Sequence, residues 1–283
     1  MLIKIGYNIA LKFSFPTAVI HLLHVHTSRR SDLVEPERVA TYPDLPVEEY
    51  DDRFGNHRGR ICAPAGPVRL FSEAVIRDSG ELDAYAPDAA QLDVSEIPAP
   101  VLEFLLPSRY CEVDSELMDF AWRTFRQTNL GWERVQAICD FVHGHLHFDY
   151  QQARSDRTAL EGFHERVGVC RDFTHLAITL CRCMNIPARY GTGYLGDIGV
   201  PADPNPMDFS AWFEVYLQGG WYTFDARHNR RRIGRVLIGL GRDAADVPIT
   251  MAFGKQSLDL FRVFTEEIVD FAAVSDALIV KAA

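Results

Sequence analysis

The stretch Gly168-Val169-Cys170-Arg171-Asp172-Phe173-Thr174-His175, continuing to Leu195, constrains the fold of this chain more than any other. Apolar side chains recur at Val169, Phe173, Leu176, Ala177, Leu180 and Met184, the period of a helix buried along one side. Asn185-Ile186-Pro187 ends it, because Pro187 cannot continue a helix and biases Ile186 toward extended geometry. Cys170 therefore falls in the first turn, just after Gly168. Unpaired backbone N–H groups and the positive end of the helix dipole favour a thiolate there. Cys170 is a candidate nucleophile, to be weighed against the commoner buried, inert thiol.

Before this helix the pattern is different. Ile3, Ile5, Tyr7, Ile9 and Leu11 alternate with Lys4, Gly6, Asn8 and Ala10, the period of a strand with one buried face. Val19 to Val25 is a second apolar run, and Val68 to Arg77 is rich in β-branched and aromatic residues. The Phe54–Gly59 turn separates extended segments. Residues 1–115 are therefore expected to form an all-β N-terminal domain, a sandwich, ending in a Pro-rich linker at 83–115 with Pro87, Pro98, Pro100 and Pro107. From Ser115 the period becomes helical, through Leu117, Phe120, Ala121 and Phe125, then Trp132, Val135, Ile138 and Val142. Residues 149–162 read as polar loop. After Pro187, strands are expected at 188–194, 212–217, 221–224, 235–238 and 259–268. Residues 116–283 thus read as α+β, helices packed on an antiparallel sheet.

The 283 residues are enough for two modest cores, and 47% hydrophobic with 24% charged residues is an ordinary globular balance. A formal charge of −10 argues against a nucleic-acid partner. Arg230-Arg231-Arg232 is the one basic cluster and reads as a solvated turn. Six scattered cysteines suggest reduced thiols rather than a disulfide framework, which fits a cytoplasmic protein. Lys4, Lys12, His21, His24 and His26 interrupt the N-terminal apolar runs, so neither a signal peptide nor a membrane span is expected.

Downstream of the Cys170 helix come Asp208-Phe209-Ser210-Ala211-Trp212-Phe213-Glu214-Val215-Tyr216-Leu217 and Gly219-Gly220-Trp221-Tyr222-Thr223-Phe224-Asp225-Ala226-Arg227. A turn at Gly219-Gly220 sets Asp225 opposite Glu214, and a turn one residue earlier leaves it two residues from Ser210. Either register puts positions 210 and 225 on one face. Over roughly residues 116–250 the chain resembles the transglutaminase-like superfamily of papain-type cysteine enzymes, bacterial type. There a Cys-bearing helix is followed by a strand reading His-Ala-Trp-x-Glu-Val-Tyr and by a strand ending in Asp. The resemblance implies a papain/transglutaminase-like core and a triad at Cys170, position 210 and Asp225. It departs at Ser210, where the family carries histidine.

The resemblance implies a thioester formed at Cys170 from a peptide or amide carbonyl, with hydrolysis favoured over cross-linking. The substrate is expected to be a peptide or protein, with no cofactor and no metal. Ser210 has no useful basicity near neutral pH, so the chain as it stands is expected to be inactive. Two other readings stay open: a non-catalytic peptide-binding protein that keeps the groove, and an enzyme whose histidine was replaced by an introduced serine. Among stand-ins for the base, His175 lies about 140° around the helix from Cys170 and points away. His228 and His164 are weaker candidates in flanking loops. The alternating His143, His145 and His147 suit a helix end better than a metal site. Asp197, Asp203 and Asp208 read as solvated loop, Cys181 and Cys183 as core, and Trp212 and Trp221 as packing.

Overall fold

The computed structural model describes residues 1–203 and 207–269. The period-two pattern at the N-terminus becomes β1 (Leu2–Phe13), in which Ile3, Ile5, Tyr7, Ile9 and Leu11 are buried. There follow β2 (Thr17–His21), β3 (Ala40–Tyr42), β4 (Glu48–Asp51), β5 (His57–Ala63) and β6 (Gly66–Arg77). The second half holds α1 (Leu117–Phe125), α2 (Trp132–His145), β7 (His147–Phe148), α3 (Ala159–Glu165), β8 (Val167–Gly168) and α4 (Cys170–Cys183). Then come β9 (Ala188–Leu195), β10 (Ser210–Leu217), β11 (Gly220–Phe224) and β12 (Arg235–Gly241), and last β13 (Thr250–Ala252) and β14 (Gln256–Glu267).

Three four-stranded antiparallel sheets result, in the orders β14-β1-β6-β3, β13-β2-β5-β4 and β11-β10-β9-β12. The first two enclose a shared apolar cluster that joins Ile5 and Tyr7 to Val19 and Ile61. The third is covered by helices: Leu176, Ala177 and Leu180 of α4 pack with Ala211, Phe213 and Val215 of β10 and with Val135 and Ile138 of α2. Tyr194, Val236 and Ile238, from β9 and β12, belong instead to the cluster of the β-rich part. The α+β class and the β-rich N-terminal region are as the sequence predicts. No helix among the described residues is long and apolar enough to cross a membrane.

The local signals around α4 act as expected. Asn185 takes a left-handed conformation (φ 60°), Ile186 N–H donates to Cys181 O at 2.9 Å, and Asn185 N–H donates to Arg182 O at 2.9 Å. These two bonds are a Schellman termination, ahead of Pro187. The β10–β11 hairpin pairs Phe213 with Phe224 and Leu217 with Gly220, so the turn is Gln218-Gly219, the earlier of the two expected registers. Gly219 supplies its positive φ of 97°. Asp225, just past β11, falls level with Trp212, two residues along the strand from Ser210.

Two local expectations need revision, and one expected strand takes a distant partner. Residues 149–162 are not all loop, because Thr158 accepts from Glu161 N and Glu161 reaches back to Thr158 N, a capping box that starts α3. The proline-rich segment 83–115 does not run free through solvent: Val101, Phe104, Cys111 and Val113 are buried. The strand expected at 259–268 is β14, and it pairs with β1 rather than with the strands nearest in sequence. Pairing follows the apolar face each strand offers, not chain order.

Candidate active site

Cys170 is the first residue of α4, and Asp172, in the same turn, fastens that turn. Its Oδ2 accepts Val169 N–H at 2.9 Å and Arg157 Nη1 at 3.0 Å. Cys170 and Ser210 line one cavity of about 180 Å³, together with Tyr150, Asp208, Arg227 and His228. The start of β10 meets the start of α4 here, which brings the Ala211 backbone amide toward the thiol. Burial pushes the half-buried Cys170 thiol up to about 12, and the Asp208 carboxylate pushes the same way. The Ala211 N–H and Arg227 oppose this but do not win. The helix N-terminus alone does not make a thiolate.

Asp225 stands behind the cavity wall and is fully engaged. Its Oδ1 accepts the His228 backbone N–H at 2.9 Å, and its Oδ2 accepts His228 Nδ1 at 2.8 Å and Arg235 Nη2 at 3.0 Å. Burial raises its pKa, but Arg235 and His228 outweigh that and hold the carboxyl well below the usual range. The Arg227 guanidinium meets His228 Nε2. The guanidinium therefore covers the ring nitrogen that faces away from Asp225. His143 fixes this loop, its Nδ1 donating to Arg227 O at 2.9 Å.

The other candidates separate. His175 is buried, stacked on Tyr110, and accepts Ala244 N–H through Nε2, away from Cys170 as expected. His164 pairs with Glu116 on the surface. His143 and His145 spend ring nitrogens on backbone carbonyls and do not converge with His147. Cys181 and Cys183 are core. Asp197, Asp203 and Asp208, read as solvated loop, instead rim the cavity. Arg232 is no solvated turn residue either, since it is buried and donates to Gly196 O at 2.8 Å. Arg227 was not singled out by the sequence and Asp208 was set aside as loop; each lies two residues from a candidate, which was the available signal.

The sequence model of the Transglutaminase-like superfamily matches residues 120–226, which run from α1 through Cys170 to Ala226. A solved structure described as a "Putative Cysteine Protease from Cytophaga hutchinsonii" superposes with a TM-score of 0.82 at 30% identity, covering 96% of this chain and 92% of that one. The chain belongs to the transglutaminase-like superfamily. Among its relatives is the uncharacterised protein ML0607 of Mycobacterium leprae, 24% identical over 223 residues, 74% of this chain and 77% of that protein. The uncharacterised protein Mb2599c of Mycobacterium bovis is 31% identical over 159 residues, and the match spans about half of its length (49%).

Proposed function

We propose that this transglutaminase-like protein has the site of a cysteine enzyme acting on peptide or amide carbonyls, with Cys170 as nucleophile, position 210 as the base position and Asp225 as its orienter. As it stands, with Ser210, it binds such a carbonyl and turns it over only marginally. The observation that carries this reading is the shared cavity: Cys170, at the start of α4, and Ser210, at the start of β10, line it together, so a serine stands where the buried thiol needs a base. Hydrolysis is preferred to cross-linking on family likeness.

The test is Ser210→His. An imidazole at 210 takes the thiol proton, and the sulfur attacks the carbonyl carbon of a carboxamide. The C–N bond breaks as that proton passes to the leaving amine. Water then displaces the sulfur, giving an acid and the free thiol, or an amine does so, giving a new amide. Acylation of Ser210→His by a peptide amide or activated ester should exceed that of the parent by about a thousandfold or more, and Cys170→Ala should remove it. A folded Ser210→His protein that no ester or carboxamide acylates would leave only the binding reading.

A second reading rests on the Asp225–His228 pair. His228 rests on the Asp225 carboxylate, as a carboxylate-oriented base would, and lines the same cavity as Cys170. Arg227 occupies its Nε2, which disfavours it. Residual acylation by the parent protein that disappears in His228→Ala would establish this reading over the first.

A further inference from the structure

Far from Cys170, the β-rich part brings two imidazoles onto one carboxylate. In the second sheet His21 and Glu49 both pair with Gly59, and Asp51 pairs with His57, so these side chains share one face of β2, β5 and β4. Gly59 leaves the room: a Cβ there would lie 2.2 Å from His21 Cε1. His24 reaches the same place from the segment after β2. Its ring stands 4.5 Å from that of His57 and 5.9 Å from that of His21.

We propose that His24, His57 and Glu49 are the protein ligands of a divalent transition-metal site, of the class zinc fills. One ligand atom from each lies within 4.8 Å of the others. Glu49 Oε1 is 3.5 Å from His24 Nε2, and Glu49 Oε2 is 3.4 Å from His57 Nε2. With bonds of about 2.0–2.1 Å, ligand atoms around tetrahedral zinc stand about 3.3–3.4 Å apart, so these separations suit a shared ion. The His24 side chain is 2% exposed and its Nε2, aimed into the cluster, has no hydrogen-bond partner. A buried orphan nitrogen is costly unless something occupies it.

The opposite ring nitrogens are backed by carboxylates, as in metal-bound histidines. Asp51 Oδ1 lies 2.6 Å from His57 Nδ1, which leaves Nε2 as the ring nitrogen facing the cluster. Glu37 Oε1 lies 3.5 Å from His24 Nδ1. His21 adds a third imidazole behind the site, buried, with neither nitrogen hydrogen-bonded. Two imidazoles and a carboxylate suit zinc or cobalt better than calcium or magnesium. Glu49 is 45% exposed, so the fourth position is open to water. A bound ion would join the edge strand β4, whose four residues are all exposed, to β5 and to the segment after β2.

The test uses the full chain, stripped with a chelator and titrated with Zn²⁺ against a chromophoric competitor, and separately with Co²⁺. One ion per chain is expected. The Co²⁺ spectrum should show d–d bands between about 500 and 650 nm without the near-ultraviolet charge transfer of a thiolate ligand. Cys170→Ala should bind equally well. Glu49→Gln should weaken binding at least tenfold and cancel the rise in Tm that Zn²⁺ gives the parent. Asp51→Asn, a surface change that keeps all three ligands, should weaken it about tenfold. Absence of binding at micromolar metal, a thiolate spectrum, or affinity unchanged in both variants would each overturn the proposal, leaving an imidazolium–carboxylate cluster.

Discussion

His228 Nδ1 lies 2.8 Å from Asp225 Oδ2, and Arg235 Nη2 shares that oxygen at 3.0 Å. The carboxylate that the family motif assigns to position 210 is therefore already committed to two partners, and that commitment has a cost that can be measured.

Replacing Asp225 by Asn should destabilise the protein by about 3–5 kcal/mol at pH 7, because the buried Arg235 guanidinium loses its counter-charge. Asp225 has a folded pKa below its unfolded one of about 3.9, so its contribution is complete above that value and is lost as the pH falls toward the folded one. Urea unfolding at pH 7 and again near pH 3 should show the gap between parent and variant narrowing at the lower pH. A gap that widened there would contradict the pairing.

Alkylation of Cys170 should be slow at neutral pH. With the thiol near 12, about one molecule in 10⁵ is a thiolate at pH 7, and the rate should climb about tenfold per pH unit up to at least pH 10. Mass spectrometry after brief iodoacetamide treatment should find the exposed Cys62 modified first. In Ser210→His the Cys170 profile should move to lower pH.

Removing the His228 ring should leave the parent's residual acylation within about twofold, since Arg227 holds Nε2. The same His228→Ala change should lower stability, through the lost bond to Asp225, by about 1.5–3 kcal/mol. The pair of readouts separates a positioning contact from a base.

Thr158→Ala should cost about 1 kcal/mol in urea unfolding through loss of the α3 cap, while Glu161→Gln should cost less because the amide can still bond back.

That last element shows where the sequence was opaque. The apolar stripe of α4 and the alternation of β1 are long, so many side chains vote for one period and the element is legible. α3 is seven residues long, too short for a stripe to declare itself, and its capping box lies in a polar run that resembles loop. The positions of Cys170, Ser210 and Asp225 at the ends of regular elements were legible, because the period of α4 and the pairing of β10 with β11 could be reasoned. Asp208, Arg227 and the engagement of His228 were not, because they depend on how two loops fold back over the end of a sheet. At the thiol two effects oppose each other: a helix N-terminus favours a thiolate, while burial and the Asp208 charge, which the sequence does not report, push the other way. The metal-type cluster draws ligands from three separated segments, and no local spacing reports it.

The pairing of β14 with β1 ties the first strand to one of the last. During synthesis β1 leaves the ribosome long before the neighbour on one of its edges, which lies far downstream in the chain. Until then a twelve-residue strand rich in isoleucine, already joined to β6 on its other side, offers an open row of amide and carbonyl groups to any passing chain. A chain stopped short of Gln256 should keep α4 and its cavity walls but be prone to self-association through β1. Expression yield of such truncations should therefore depend on chaperone supply far more than that of the full chain.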